Sequence, residues 1–204
     1  ISLEEITEFY RRHKLPVRLL IPERIGKPAE RLLADATWET EPEILVMVLR
    51  ALAGLSTEVP GSHPSGAEFR IDAQPDDAWL QMYHFRGQAL PAQALEYLRA
   101  RIEGTMGFGR LVIDGETVAI TRGTITESGD GTAWLGYSAV EVAPSHRRQG
   151  LGALLGQHML RWGRDQGAKH AYLDVLASNT AGIRLYEKLG FIEQHRQIYA
   201  RLRD

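Results

Sequence analysis

The run from Val140 to Ala153 (Val140, Glu141, Val142, Ala143, Pro144, Ser145, His146, Arg147, Arg148, Gln149, Gly150, Leu151, Gly152, Ala153) has the residue types needed to hold a polyphosphate. A β-rich segment ends at Pro144, two arginines follow, and Gly150 and Gly152 alternate into the start of an amphipathic helix. Glycine, lacking a Cβ, lets successive backbone N–H groups approach one point. A helix opening at Gly150 adds its unpaired donors and the positive end of its dipole. Arg147 and Arg148 supply charge-assisted donors beside that nest. Taken alone, the same string also suits an ordinary strand–turn–helix junction with surface arginines.

A second motif lies downstream. Ala171 to Val175 alternates as a strand should. Ser178 or Asn179 then suits a helix N-cap, Ile183, Leu185, Tyr186 and Leu189 are spaced for one buried face, and Gly190 closes the helix before Phe191. The pairing of R-x-x-G-x-G (Arg147 to Gly152) with N-x-x-A/G-x-x-x-Y-x-x-x-G-F (Asn179, Tyr186, Gly190-Phe191) resembles the acetyl-CoA core of the GNAT superfamily of N-acetyltransferases. Both motifs occur in order, one helix and one strand apart.

The elements that must position these residues follow from pattern. In the first part of the chain, helices are expected over Leu3–His13 and Ala29–Asp35 and strands over Val17–Ile21 and Ile44–Leu49. Leu32 to Trp38 and Ile44 to Met47 echo Leu185 to Phe191 and Gln197 to Ala200, with Leu33 in the tyrosine position and Trp38 in that of Phe191. Residues 1–55 are therefore read as a partial, degenerate GNAT-like lobe with a structural role. The Pro-, Gly- and Ser-rich stretch 56–66 reads as a linker. Residues 67–204 form the acetyl-CoA-binding domain. Its expected elements are a strand at Phe69–Asp72, helices over Asp76–Phe85 and Leu90–Ile102, and a hairpin from Thr105 to Thr126 turned at Asp114-Gly115. A strand over Trp134–Val142, a helix over Gly150–Gln166 and a final strand over Phe191–Leu202 complete it. The fold class is α/β (α+β mixed): a GNAT-like mixed sheet flanked by helices. Over nearly the whole chain the pattern is similar to a bacterial, largely actinobacterial, two-lobed GNAT group, including Trp79-Leu80 with Tyr83, Arg86-Gly87 and Leu90-Pro91.

The resemblance implies roles. Acetyl-CoA is the expected cofactor, and the acetyl group passes to a primary amine of a small molecule or peptide by direct attack in a ternary complex. The pantetheine arm would pair with Val140, Glu141 and Val142, and a backbone N–H near Val142 would face the thioester carbonyl. Asn179 corresponds to the family's pantetheine-contacting asparagine, a role that competes with helix capping. Tyr186 corresponds to the family's proton donor: a phenol with a pKa near 10 stays protonated at neutral pH and donates to a thiolate whose acid is near 8.5. Its alternative role is core packing. For the base, some members carry glutamate in L-E-V-x-A-S-N, where this chain has Leu173, Asp174, Val175, Leu176, Ala177, Ser178 and Asn179. Aspartate is one methylene shorter, which favours a relayed water. Glu141 is the other carboxylate in reach. Tyr83, Arg86 and Trp134 are the acceptor candidates, Arg86 being suited to a substrate carboxylate.

Composition excludes other classes. The 204 residues are 44% hydrophobic and 25% charged, with no cysteine and hence no disulfide, thiolate nucleophile or cysteine-held zinc. The seven histidines show no paired helical spacing, so no metal is expected. No apolar run is long enough to span a bilayer, and the acidic opening is the reverse of a signal peptide's basic start, so a cytoplasmic location is expected. From Pro144 onward ten Lys/Arg face five Asp/Glu, leaving −7 on the remainder of a chain whose net charge is −2. That asymmetry suits an anionic cofactor, whereas the absence of a basic block argues against nucleic acid. Two rivals remain. One is a catalytically silent acetyl-CoA sensor. The other is a dinucleotide-binding oxidoreductase, because Gly150 to Gly156 approximates a glycine-rich turn and Asp174 lies at a distance that suits a ribose-binding acid.

Overall fold

The computed structural model describes residues 2–29, 31, 37–55, 66–85, 88, 89, 93, 96, 100 and 104–203. They group into two compact units. One comprises Ile1–Met47, Asp174–Ile183 and Glu193–Asp204; the other comprises Val48–Leu173 and Arg184–Ile192.

In the first unit, α1 (Leu3–Arg12) opens on a capping box between Ser2 and Glu5, with Arg11 and Arg12 in its last turn. Leu3, Ile6 and Tyr10 line the face that packs on Val17, Ile21, Trp38 and Ala200. Strands β1 (Arg18–Pro22) and β2 (Trp38–Thr40) both pair antiparallel with β11 (Ile192–Leu202). β1 takes one edge of β11, while β2 and β3 (Ile44–Leu49) take the other. The apolar strands near the N-terminus are thereby satisfied by a strand from the far end of the chain. Arg18 grips Glu41 through two 2.7 Å bonds and lies 3.8 Å over the Tyr199 ring. Of the helix expected over Ala29–Asp35, the described part is a 3-10 turn at Lys27–Ala29 and helical Arg31. Leu33, with 32–36 as a whole, lies outside the described residues, as does the linker stretch 56–65.

The second unit carries β4 (Glu68–Asp72), α2 (Asp77–Met82) and a two-residue pair, β5 (His84–Phe85) with β6 (Gln88–Ala89). Then follow β7 (Thr105–Ile113), β8 (Glu116–Glu127), β9 (Ala133–Val142), α3 (Leu151–Asp165), β10 (His170–Leu176) and α4 (Thr180–Lys188). Its sheet runs β4-β7-β8-β9-β10, with antiparallel neighbours except for the parallel pair β9–β10. The hairpin turn falls at Asp114 and Gly115, whose φ values of 50° and 82° are those a tight two-residue turn demands.

The helix expected over Asp76–Phe85 is shorter than its pattern. Asp76 caps it through Trp79 N–H, but Tyr83 turns extended (φ −81°, ψ 111°) and the chain enters β5. The reason is tertiary: the Tyr83 ring packs 5.2 Å from that of Trp79, which meets Phe108 edge-on at 5.1 Å. Within the second expected helix, Gln93, Glu96 and Ala100 are helical and the other positions of 90–102 lie outside the described residues.

The sheet of this unit is covered on both faces. α3 buries Leu151, Leu154 and Leu155 against Leu111 and Ala119, with Val140 and Val142 at the margin. α2 lies on the opposite face, where Trp79, Tyr83, Phe108 and Ile120 cluster beside Ala139. The indole N–H of Trp79 donates to the Gly109 carbonyl at 3.1 Å.

Candidate active site

The end of β9 presents an open main-chain edge. In the β8–β9 ladder Ala119 faces Val142, Ile120 faces Glu141 and Arg122 faces Ser138. Ala139 and Val140 therefore share Thr121 as a bulge, and Ala139 takes φ 57°, a left-handed value unusual for a residue with a Cβ. The Ala143 N–H donates to the Val118 carbonyl at 2.9 Å. Antiparallel alternation then commits the main-chain groups of Glu141 to β8 and turns those of Val142 the other way. Arg147 Nε donates to that outward Val142 carbonyl at 3.0 Å. The ladder with β10 covers Trp134–Gly136 and His170–Tyr172, while β9 runs on to Val142. Val140 and Val142 pack toward α3, so Glu141 points to the α2 face.

The loop after β9 leads that edge straight into a helix N-terminus. A 3-10 turn at Pro144–His146 is followed by Arg148 at φ 63° and Gly150, the N-cap of α3, at φ 79°. Ala153 and Leu154 donate to the Gly150 carbonyl at 3.0 and 3.1 Å, so the N–H groups of Leu151 and Gly152 precede the first intrahelical bonds. A Cβ built at Gly150 would meet nothing within 4 Å. The glycine is thus required by its conformation, and the space beside these donors is a cradle that a side chain would fill. Gly152 has a different reason: its Cβ would come within 3.1 Å of Leu185, so it lets α4 close on α3 rather than widening the nest. Gln149 Nε2 braces the loop on the Ser145 carbonyl at 3.4 Å. Arg147 shares that bracing role through its Nε, and Arg148 is exposed.

Tyr186 belongs to the same unit as the loop. Its ring stands edge-on to Tyr137 of β9 at 6.0 Å and to Phe191 at 6.1 Å. Burial pushes its phenol up to about 12. Both readings of this side chain are served by that placement: it packs, and it stays protonated.

Asn179 and Asp174 lie in the first unit. The Asn179 side chain accepts the Gly182 N–H at 2.9 Å, so its capping role is realised. Asp174 accepts from Gln197 Nε2 at 3.1 Å. Burial raises its carboxyl above the usual aspartate range, and the His195 charge and the Gln197 bond offset this only in part. A raised folded-state value stabilises the fold at low pH, an advantage that is lost as pH rises through that value and the carboxyl ionises. Asp174→Asn is therefore expected to raise the melting temperature at pH 7 and to leave it unchanged near pH 3. A variant that melts lower at pH 7 would show that the charge is held favourably.

The acceptor candidates scatter. Tyr83 is 7% exposed and belongs to the Trp79 cluster. Trp134 packs on His170 at 4.6 Å, eight residues up β9 from Val142, roughly 26 Å at strand rise. Arg86 lies outside the described residues. The α2 face instead offers Arg122, one position from the bulge. The signal was present in sequence as a cation inside the apolar alternation Val118-Ala119-Ile120-Thr121-Arg122. The topology disfavours the dinucleotide alternative: β9, α3 and β10 form one parallel βαβ unit, but on the other side of β9 the neighbours β8, β7 and β4 are antiparallel, unlike a doubly wound parallel sheet.

A model of the family described as "Probable histone acetyltransferase Rv0428c C-terminal" matches residues 1–200. The chain belongs to this family, within the GNAT superfamily. It is 31% identical over 195 residues to the "Probable histone acetyltransferase Rv0428c" of Mycobacterium tuberculosis, covering 95% of this chain and 56% of the relative. The chain thus spans about half the length of that curated protein. Among solved structures, a GCN5-related N-acetyltransferase from Kribbella flavida aligns with a TM-score of 0.66 at 18% identity, over 98% of this chain and 73% of that one. A tandem GNAT protein from the clavulanic acid biosynthesis pathway aligns with a TM-score of 0.71 at 17% identity, over 95% and 66%. The mixed sheet with helices on its faces is the GNAT architecture.

Proposed function

We propose that this chain is an acetyl-CoA-dependent N-acetyltransferase acting on a primary amine of a small molecule or peptide. The observation that carries the reading is the continuity from the outward N–H and C=O of Val142, through the loop, to the Gly150-capped start of α3. Such an edge suits an amide-bearing arm laid strand-like beside Val140, Glu141 and Val142. The donors of Gly150, Leu151, Gly152 and Ala153, with the Arg148 side chain, suit a pyrophosphate at its end. Acetyl-CoA would bring the activated thioester. The chain's own work is then to orient the thioester carbonyl on the Val142 N–H, to relieve the attacking amine of a proton at Glu141, and to offer the Tyr186 hydroxyl to the leaving sulfur.

Residues 1–55 are read as structural, since α1, β1 and β2 serve to complete the sheet around β11. No helix among the described residues is long and apolar enough to cross a membrane. A multiply charged substrate that does not pass bilayers unaided supports a cytoplasmic location. Calorimetric titration with acetyl-CoA and with NAD, followed by thiol release over an amine panel, tests the reading. Acetyl-CoA binding with amine-dependent thiol release is expected. Binding without release by any amine would leave the sensor reading, and preference for NAD would overturn both.

A further inference from the structure

Two arginines enter the α2 face of the second unit from neighbouring strands, and the protein treats them differently. Arg110 of β7 is 8% exposed and is answered by two carboxylates, Asp76 at 2.6 Å and Asp72 at 2.8 Å. Arg122 of β8 is half-buried on the same face, as its bond to Ser138 shows. Among the described residues its side chain has one partner, the neutral Ser138 hydroxyl, reached by Nε at 3.1 Å. Among the described residues its Nη1 is buried without an acceptor; Nε of Arg110 is too, but there two carboxylates meet the guanidinium's charge, and beside Arg122 none does. A buried guanidinium nitrogen without an acceptor loses its hydration and gains nothing in return, so native proteins seldom keep one without a use.

The register states what lies beside it. Ile120, two residues back along β8, faces Glu141, whose side chain is on the same side of the sheet. Arg122 and Glu141 are thus separated by about 7 Å along the strands, with the Ala139 bulge between them. Glu141 immediately precedes Val142, whose N–H faces the opposite edge from β8. A guanidinium and a carboxylate at that spacing match a molecule that carries an ammonium and a carboxylate a few bonds apart.

We propose that Arg122 is the anchor for the acceptor's carboxylate, and that the acceptor is a free amino acid whose amine is delivered beside Glu141. This rests on the acetyltransferase reading above and narrows it. A carboxylate is favoured over a neutral carbonyl because a charge-assisted pair on a guanidinium is about twice as strong, and because it supplies the counter-charge that, among the described residues, Arg110 already has and Arg122 lacks. Ser138 holds Nε, which fixes the plane of the guanidinium so that its remaining edge is presented in one orientation.

The test is thiol release from acetyl-CoA with glycine, L-alanine, L-glutamate and L-lysine, each compared with its α-carboxamide, on the full chain. Free acids are expected to exceed their amides in kcat/KM by at least tenfold for the preferred side chain. Arg122→Gln should abolish that preference, raising KM for the acid at least tenfold with kcat changed far less, and Arg122→Lys should restore part of it. A purely structural arginine would lower both members of each pair alike. If an Arg122 variant does not fold by circular dichroism, the wild-type comparison of acid with amide decides the matter. Equal rates for acids and amides, or better rates for the dipeptide amide L-alanyl-L-alanine amide, would overturn the carboxylate anchor while leaving the acetyltransferase reading intact. Thiol release with alkylamines but with no amino acid would do the same. Absence of thiol release with every amine would remove the acetyltransferase reading itself, and the anchor with it.

Discussion

Replacing Tyr186 by phenylalanine is expected to lower turnover by at least ~100-fold, within the range that general acids supply. The ring is kept, so its edge-on contacts with Tyr137 and Phe191 survive and folding should change little. The Michaelis constant for acetyl-CoA should stay within a few-fold, the signature of an interaction made mainly in the transition state. The pH dependence carries the sharper information. With its phenol pushed up to about 12 by burial, Tyr186 stays protonated over the whole range in which the protein can be assayed. Any basic limb in turnover between about pH 8 and 10 then belongs to another group, and Tyr186→Phe should lower the profile without changing its shape. In the proposed role, so weak an acid would act first as a hydrogen-bond donor to the developing thiolate, with proton transfer completed as the sulfur departs. Single-turnover rates should be measured as well, since slow product release in the parent would mask the loss. A single-turnover rate within a few-fold of the parent would reduce Tyr186 to a packing residue.

The second large effect is expected at Gly150. Gly150→Val places a β-branched side chain at φ 79° and fills the open space beside the first N–H groups of α3. Affinity for acetyl-CoA should fall tenfold or more, about 1.4 kcal/mol or above. Strain alone would also destabilise the helix start, so a matched control is needed. Gly167, just past the other end of α3, has φ 93° and likewise nothing within 4 Å of a Cβ. Gly150→Ala and Gly167→Ala should therefore cost similar stability, roughly 1–2 kcal/mol each, while calorimetry finds weaker acetyl-CoA binding only for Gly150→Ala. Equal affinity in the two alanine variants would remove the phosphate cradle.

Much of the framework was legible in sequence because its causes are local. The hairpin turn needs two left-handed residues in succession, and Asp114-Gly115 supplies them. The helix over Leu151–Asp165 begins at the one residue, Gly150, that tolerates its N-cap conformation. The strand at Ile44–Leu49 is an uninterrupted apolar run just after Pro42, and the strand at Ala133–Val142 lies between Gly131 and Pro144. The loop proposed to hold the pyrophosphate was legible as a loop for the same reason, since its glycine, arginines and helix start are contiguous.

What sequence could not decide depends on residues that meet across long separations. Asp76 to Phe85 carries a helical pattern throughout, yet the helix stops at Met82 because the Tyr83 ring is claimed by the Trp79 and Phe108 cluster. Tyr83 thereby moves from acceptor candidate to core. Gly150 and Gly152 look equivalent in the motif, but only packing shows that one answers a backbone angle and the other the approach of Leu185. The face on which Glu141 points, and the outward turn of Val142, depend on the register with β8 and on a bulge that no periodicity announces. Arg122 is one cation among many until the fold leaves its Nη1 buried without a partner among the described residues. Sequence determined which segments form and where a left-handed glycine opens a helix after two arginines, because both are set by neighbours within a few residues. Tertiary structure decided which of the candidate side chains are spent on packing and which polar groups of the described residues are left unanswered, because both depend on contacts made across the sheet.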